Sequence, residues 1–295
     1  MSLTEAPGGG MSVNGGPGYA PEWLALREAA DAAARAPELL GPLRSYLAEG
    51  TQPGAVLVIR DLGCGTGSMG RWLTPRLAGP QHWVLHDHDA RLLGLAAERL
   101  PRTGADGARV TVTTRQGDIA RLTAGELAGT GLVTASALLD LLTREEVDRL
   151  AAACAGAGCP VLLALSVVGR VELTPADPLD GAIGSAFNDH QRRLDHGRRL
   201  LGPDAVVAAR EIFASHGMAV RVRPSPWRLG ADESALTAEW LRGWVGAARE
   251  QRPDLAPRAT AYLRRRLEAC EAGELRVVVH HSDVLALPGH VGDAS

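Results

Sequence analysis

Apolar runs of strand length alternate along this chain with longer segments of helical period. Residues 55–61 form a short apolar run that predicts a buried strand, and a glycine-rich loop follows it. Residues 68–77 predict the helix behind that loop. The couplet recurs, with strands expected over 82–86, 110–114, 132–139 and 160–168 and helices over 90–100 and 144–155. Thr143 stands where it can cap the second of these helices. Strands and helices alternating at this spacing predict βαβ units, hence a parallel sheet covered by helices on both faces. Further along, 203–216 reads as helix and 219–223 as a sixth strand. Amphipathic helices follow over 233–249 and 259–272, then a last strand over 274–281, with Leu285 and Leu287 beyond it. Ahead of the first strand, 22–49 has helical period through Trp23, Leu24, Leu26, Leu39, Leu40, Leu43 and Leu47, and Pro37 and Pro42 divide it into two helices.

Two segments depart from this rhythm. Residues 1–20 are rich in Gly, Ser and Pro without the charged and apolar regions of a signal peptide, so a disordered leader is expected. Residues 170–202 carry Pro175, Pro178 and a polar run through Asn188 and His190, and read as a partly helical insertion over the sheet's ligand edge. The expected organisation is therefore a helical cap over 21–50 and an α/β domain over 51–295 that contains the insertion. A chain of 295 residues suits one large domain of this kind.

Composition narrows the chemistry. All 31 basic residues are Arg, which excludes mechanisms that need a lysine amine. The formal net charge of −3 gives no basic footprint for a nucleic acid. Four scattered cysteines predict a reduced, cytoplasmic protein without disulfides or a structural metal. No apolar run approaches 18 residues, so no membrane span is expected.

The loop after the first strand, Asp61-Leu62-Gly63-Cys64-Gly65-Thr66-Gly67-Ser68-Met69-Gly70, can be parsed as G-x-G-x-x-G or as D-x-G-x-G-x-G. In both, glycines turn the backbone sharply and the next helix offers free N–H groups. Asp87, 20 residues past Gly67, suits a ribose hydroxyl in either case. Asp61 separates the two. A carboxylate at the strand's end would repel a dinucleotide's pyrophosphate by about 4 kcal/mol at ~4 Å and an effective dielectric near 20. Beside the ammonium and sulfonium of S-adenosylmethionine the sign reverses.

With DLGCGTG followed by VLHDHD, QGD and VTASALLDLL, the stretch over 56–168 resembles the class I S-adenosylmethionine-dependent methyltransferases. The resemblance implies a Rossmann-like sheet of seven mostly parallel strands, the last antiparallel, with helices on both faces. It also implies cofactor contacts at Asp61, Gly63, Cys64, Gly65 and Gly67. Asp87 would hold the ribose with His88 beside the adenine, Asp118 and Ile119 would frame the adenine, and Ser136 would lie along the methionine part. Arg60 departs from an apolar strand, and pairing with Asp61 or with a sheet neighbour is expected.

The resemblance leads to methyl transfer onto the O, N or C of a small-molecule acceptor, by a monomer or homodimer. RNA methylation, or cofactor binding without transfer, are the alternatives. Asp140, after the fourth strand, is a candidate general base, as is His190 in the insertion. Each also suits a plainer use, the one beside a helix N-terminus and the other as a surface histidine. Phe187 and Trp227 suit either an acceptor pocket or the core. The run from His86 to Asp89 looks like a metal cluster, but alternate side chains on a strand end face opposite ways, which argues for nucleotide contact instead.

Overall fold

A computed structural model of the protein describes residues 20–50, 52, 54–117 and 123–289. The leader expected over 1–20 lies almost wholly outside the described residues, as do Asp118 and Ile119.

Two helices, α1 (Pro21–Ala34) and α2 (Leu40–Gly50), precede the first strand. Pro37 opens a short 3₁₀ turn between them, whereas Pro42 sits inside the first turn of α2, where its missing N–H has no intrahelical partner to lose. Then follow β1 (Leu57–Leu62), α3 (Ser68–Leu73), β2 (Gln81–Asp87), α4 (Ala90–Arg99), β3 (Val110–Gln116) and β4 (Leu132–Ser136). The second half holds α5 (Arg144–Gly156), β5 (Val161–Thr174), α6 (Asp180–Gln191), a hairpin of β6 (Leu194–Asp195) and β7 (Arg198–Arg199), and α7 (Ala205–Ser215). It continues through β8 (Ala219–Pro224), β9 (Trp227–Leu229), α8 (Ser234–Gln251), α9 (Ala256–Glu271) and β10 (Arg276–Leu287).

Seven strands pair in the order β3-β2-β1-β4-β5-β10-β8. The pairs from β3 to β5 are parallel, while β10 runs antiparallel to both β5 and β8, as the resemblance implies. The short β9 pairs with the start of β10. Thr143 caps α5 in a reciprocal box: its hydroxyl accepts from the Glu146 N–H, and the Glu146 carboxylate accepts from the Thr143 N–H.

Alternation along β1 decides which side chains meet. Arg60 turns away from Asp61, donating to Thr130 Oγ1 at 2.9 Å and to His86 Nε2 at 3.2 Å, so its partners are sheet neighbours. Burial, reinforced by Arg60, pulls His86 down to about 4, which keeps it neutral and able to accept.

Apolar side chains gather on both faces of the sheet, under α5 and α7 on one and under α2, α3 and α4 on the other. A third cluster lies beyond, where the ends of β5 and β10 carry on into α6, α8 and α9. The expected insertion therefore begins later than the sequence suggested. Residues 170–174 are still strand, paired with β10, and the departure from the sheet starts after Thr174.

Candidate active site

The edge of the sheet where β1, β2 and β4 end opens into a cavity of about 420 Å³, within the range of small-molecule sites. Asp61, Gly63, Cys64, Gly65, Asp87, His88 and Ser136 all line it. Gly117 does too, immediately before the undescribed Asp118 and Ile119. Gly67 serves the loop instead. It sits at φ +86° as the residue before α3, and a Cβ there would stand 3.0 Å from Ala96 Cβ and 3.1 Å from its Cα. Only glycine combines that backbone with that approach to α4.

Asp61 is 1% exposed. Its register partner across the β1/β4 pair is Thr134, whose hydroxyl donates to Oδ1 at 2.7 Å. Oδ2 has no partner among the described residues. Burial pushes this carboxyl up to about 7, opposed by the Thr134 hydrogen bond and by Arg35. A buried acceptor left in this condition is expensive unless a ligand supplies the missing donor.

Asp87 ties the loop together. Its Oδ2 accepts from Gly65 N at 2.9 Å and its Oδ1 from Asp89 N at 3.0 Å, each oxygen retaining a further lone pair. His88 is exposed beside it, with Nδ1 3.3 Å from Oδ1. Asp89 caps α4 by accepting from Arg91 N. With His86 held by Arg60, the four side chains of this run go four ways. Among the described residues no group of three or more His, Cys, Asp or Glu could hold a metal ion. Burial drives the Cys64 thiol far above its ordinary value, so it lines the cavity as an uncharged wall.

The roof comes from α1, which the sequence assigned only to a helical cap. Leu24, Arg27 and Asp31 line the cavity, and Leu24 lies 3.2 Å from where a Gly65 Cβ would be. Arg71 of α3 clamps α1 down by a two-pronged ion pair to Glu28 at 2.6 and 2.7 Å. Arg27 pairs with the buried Asp31, which also accepts from Trp227 Nε1 at 2.9 Å. Arg35 follows α1 and is 2% exposed. Its Nη2 donates to Ser68 at 3.0 Å and to Ser136 at 3.2 Å. Burial lowers its pKa, with Asp31 and Asp283 opposing. Trp23, Arg27 and Asp31 stand at i, i+4 and i+8 on one helix face, and that this face lines the cavities is decided by its packing.

A second cavity, of about 100 Å³, shares Arg27 and Ala137 with the first. Both catalytic candidates, Asp140 and His190, line it, as do Phe187 and Trp227. Burial pushes Asp140 up to about 6. Both nitrogens of His190 have partners. Arg193 can only donate and approaches Nδ1 at 3.1 Å, so the ring hydrogen sits on Nε2 and faces Glu250 at 3.1 Å. Burial lowers the His190 pKa as well, followed by Arg193. Sequence reasoning missed Trp240, Trp244 and Gln191 in this wall. The i, i+4 spacing of the two tryptophans marks one helix face, which reads equally well as core.

Backbone strain is concentrated here. Among the described residues the non-glycine positions at positive φ are Ala137, Leu165 and His196, and the first two line the second cavity. Such conformations cost ~1–3 kcal/mol and persist where surrounding structure holds them. Ala137 donates to Ala164 O at 2.9 Å, and Leu165 donates to Asp283 at 2.8 Å across an irregularity in the β5/β10 register.

Residues 59–158 match the family model of a methyltransferase domain. No curated protein matches the chain. Among solved structures, it is similar to an S-adenosylmethionine-dependent methyltransferase from Geobacter sulfurreducens in complex with S-adenosyl-L-homocysteine: 18% identity, 92% of this chain and 99% of that one, TM-score 0.43. A methyltransferase from Thiobacillus denitrificans, also with S-adenosyl-L-homocysteine, gives the same figures of 18%, 92%, 99% and 0.43. The cyclopropane synthase MmaA2 from Mycobacterium tuberculosis is 13% identical over 84% of this chain and 83% of its own, with a TM-score of 0.41. Likeness this distant says nothing about the acceptor. The domain match runs from β1 through α5 and takes in the glycine loop described above, so residues 59–158 are identified as a methyltransferase domain.

Proposed function

We propose that this enzyme methylates a small-molecule acceptor held in the second cavity, with S-adenosylmethionine in the first. The observation that carries the reading is the junction: an acid-lined cavity, where Asp61 Oδ2 has no partner among the described residues, meets an aromatic one at Arg27 and Ala137. When bound, the cofactor supplies an electrophilic methyl group on a sulfonium that is also the leaving group.

The chain's own residues bind, align and exclude water. Asp61 receives the ammonium of the methionine part, with Ser136 alongside. The backbone of Gly63, Cys64 and Gly65, turned by Gly67, lies against the middle of the ligand. Asp87 takes the ribose through its remaining lone pairs, with His88 at the adenine together with Asp118 and Ile119, which lie outside the described residues. Helix α1 covers both cavities, and residues 170–202 wall the acceptor. Asp140 takes the acceptor's proton. The His190 lone pair is engaged by Arg193, so His190 serves to hold the wall.

Calorimetry tests the reading: S-adenosylhomocysteine is expected to bind and a nicotinamide dinucleotide is not. Uptake of the dinucleotide alone would overturn it. For the base, Asp140→Asn is expected to lower kcat by about 10²–10⁴ while leaving S-adenosylhomocysteine affinity unchanged. In the parent enzyme kcat should decline as pH falls through about 6, where Asp140 becomes protonated and cannot accept. A flat profile with an active Asn variant removes Asp140 from the mechanism.

A further inference from the structure

We propose that the acceptor is a single-ring hydroxylated aromatic compound, neutral or anionic, methylated on its ring oxygen. This rests on the cofactor reading above and adds the acceptor's chemistry to it.

Size comes first. The second cavity measures about 100 Å³, and a dry engineered cavity of roughly 150 Å³ holds benzene. The space is therefore no larger than a single ring needs, with its mouth open to the first cavity at Arg27 and Ala137, and it excludes an acyl chain or a macrocycle.

The walls select for a flat, apolar body. Trp240 and Trp244 stack on each other at 5.0 Å between centroids and 18° between planes, which makes a rigid surface, and Phe187, Leu165 and Val279 complete it. Offset or edge contact with such rings favours an aromatic ligand beyond its area alone.

Aromatic walls also suit ammonium ions, and at Trp227 and Trp23 that use is taken by this chain's own Arg27. The Arg27 guanidinium lies 4.9 Å from the Trp227 ring and 5.9 Å from Trp23, where a cationic acceptor would dock. Among the described lining residues the carboxylate is Asp140, while Arg27 is paired with Asp31 and Arg170 with Glu172 at 2.6 Å, which leaves Asp140 to accept a proton from the acceptor.

The polar atoms define the substituents. Trp244 Nε1, His281 Nδ1 and Gln191 Oε1 are buried without partners among the described residues. Trp244 is 1% exposed and His281 5%. A ring bearing oxygen substituents offers an acceptor to the indole N–H and an O–H to the Gln191 carbonyl. Buried polar groups of this kind reject analogues that lack the matching atom. In the transfer step the acceptor's O–H proton passes to Asp140 as its oxygen bonds to the methyl carbon. The carbon–sulfur bond breaks with its electron pair staying on sulfur, which leaves a methyl aryl ether and neutral S-adenosylhomocysteine.

The experiment uses the full chain saturated with S-adenosylhomocysteine, with that binding measured first as the control for folding. Catechol and para-hydroxybenzoate are titrated by tryptophan fluorescence, then supplied with S-adenosylmethionine and the products weighed by mass spectrometry. Binding of a phenol, with formation of its methyl ether, is the expected result. Trp244→Phe keeps a ring and removes the N–H, and Gln191→Leu removes the carbonyl. Each should weaken the phenol about tenfold with cofactor affinity unchanged. Uptake of S-adenosylhomocysteine without either phenol, methylation of dimethylglycine or ethanolamine instead, or undiminished phenol affinity in both variants overturns this proposal alone. Failure to bind S-adenosylhomocysteine overturns the cofactor reading, and this one with it.

Discussion

Asp61→Asn is expected to give a protein that is more stable at pH 8 without ligand and nearly unable to bind S-adenosylhomocysteine. Both effects come from one buried carboxylate. Burial raises its pKa from the ordinary 3.8 to about 7 in the folded chain. Between these values the folded state holds a proton that the unfolded state has lost, so stability falls as pH rises from about 4 to about 7 and the full cost persists above it. At pH 8 that cost is on the order of 2–4 kcal/mol. Asparagine removes the charge while its carbonyl can still accept from Thr134, so thermal unfolding should shift upward by several degrees at pH 8 and little at pH 4. The ligand's ammonium loses its counter-charge, however, and affinity should drop on the order of 100-fold, about 2.7 kcal/mol. In the parent protein affinity should also weaken as pH falls below about 7. If the Asn variant binds S-adenosylhomocysteine as well as the parent does, the electrostatic assignment of Asp61 is wrong.

Asp283→Ala is expected to lower stability by on the order of 3 kcal/mol, read as a fall in urea midpoint at unchanged slope. Asp283 is 2% exposed and accepts from two backbone N–H groups, Ala36 through Oδ2 and Leu165 through Oδ1, each at 2.8 Å. Alanine strands both donors inside the protein, at ~1–3 kcal/mol apiece, offset in part because a carboxylate that burial disfavours is no longer there. These two hydrogen bonds join the α1–α2 connection to β5 and hold Leu165 at φ +57° beside the second cavity. S-adenosylhomocysteine affinity should therefore fall as well, because Arg35 and the α1 roof precede Ala36 directly. Unchanged stability would mean that the two amides find other acceptors.

The lining of the first cavity was legible because its pattern is local. Asp61, the glycines and Asp87 lie on one strand–loop–helix–strand unit, and the backbone geometry of that unit is written in its residue types. The second cavity was legible only as candidate residues. Asp140 and His190 are 50 residues apart in the chain and share one cavity wall. Nothing in their spacing discloses that Arg193 would engage the histidine's lone pair. The true length of β5 was hidden because Arg170 and Glu172 alternate outward on its extension, and a polar alternation next to prolines reads as loop. The three residues of β9 stand between Pro226 and Gly230 and are too few to show a period.

By itself the sequence determined the strand–helix alternation, the parallel sheet and the acid-and-glycine loop, since periodicity and glycine geometry act over a few residues. Tertiary structure alone decided the rest. Packing turned the Trp23–Arg27–Asp31 face of α1 into the roof of two cavities and put Thr134 across from Asp61. It also brought Trp240 and Trp244 to the wall of the second cavity. Burial, charge pairing and cavity shape arise from contacts between distant segments, and no local pattern encodes them.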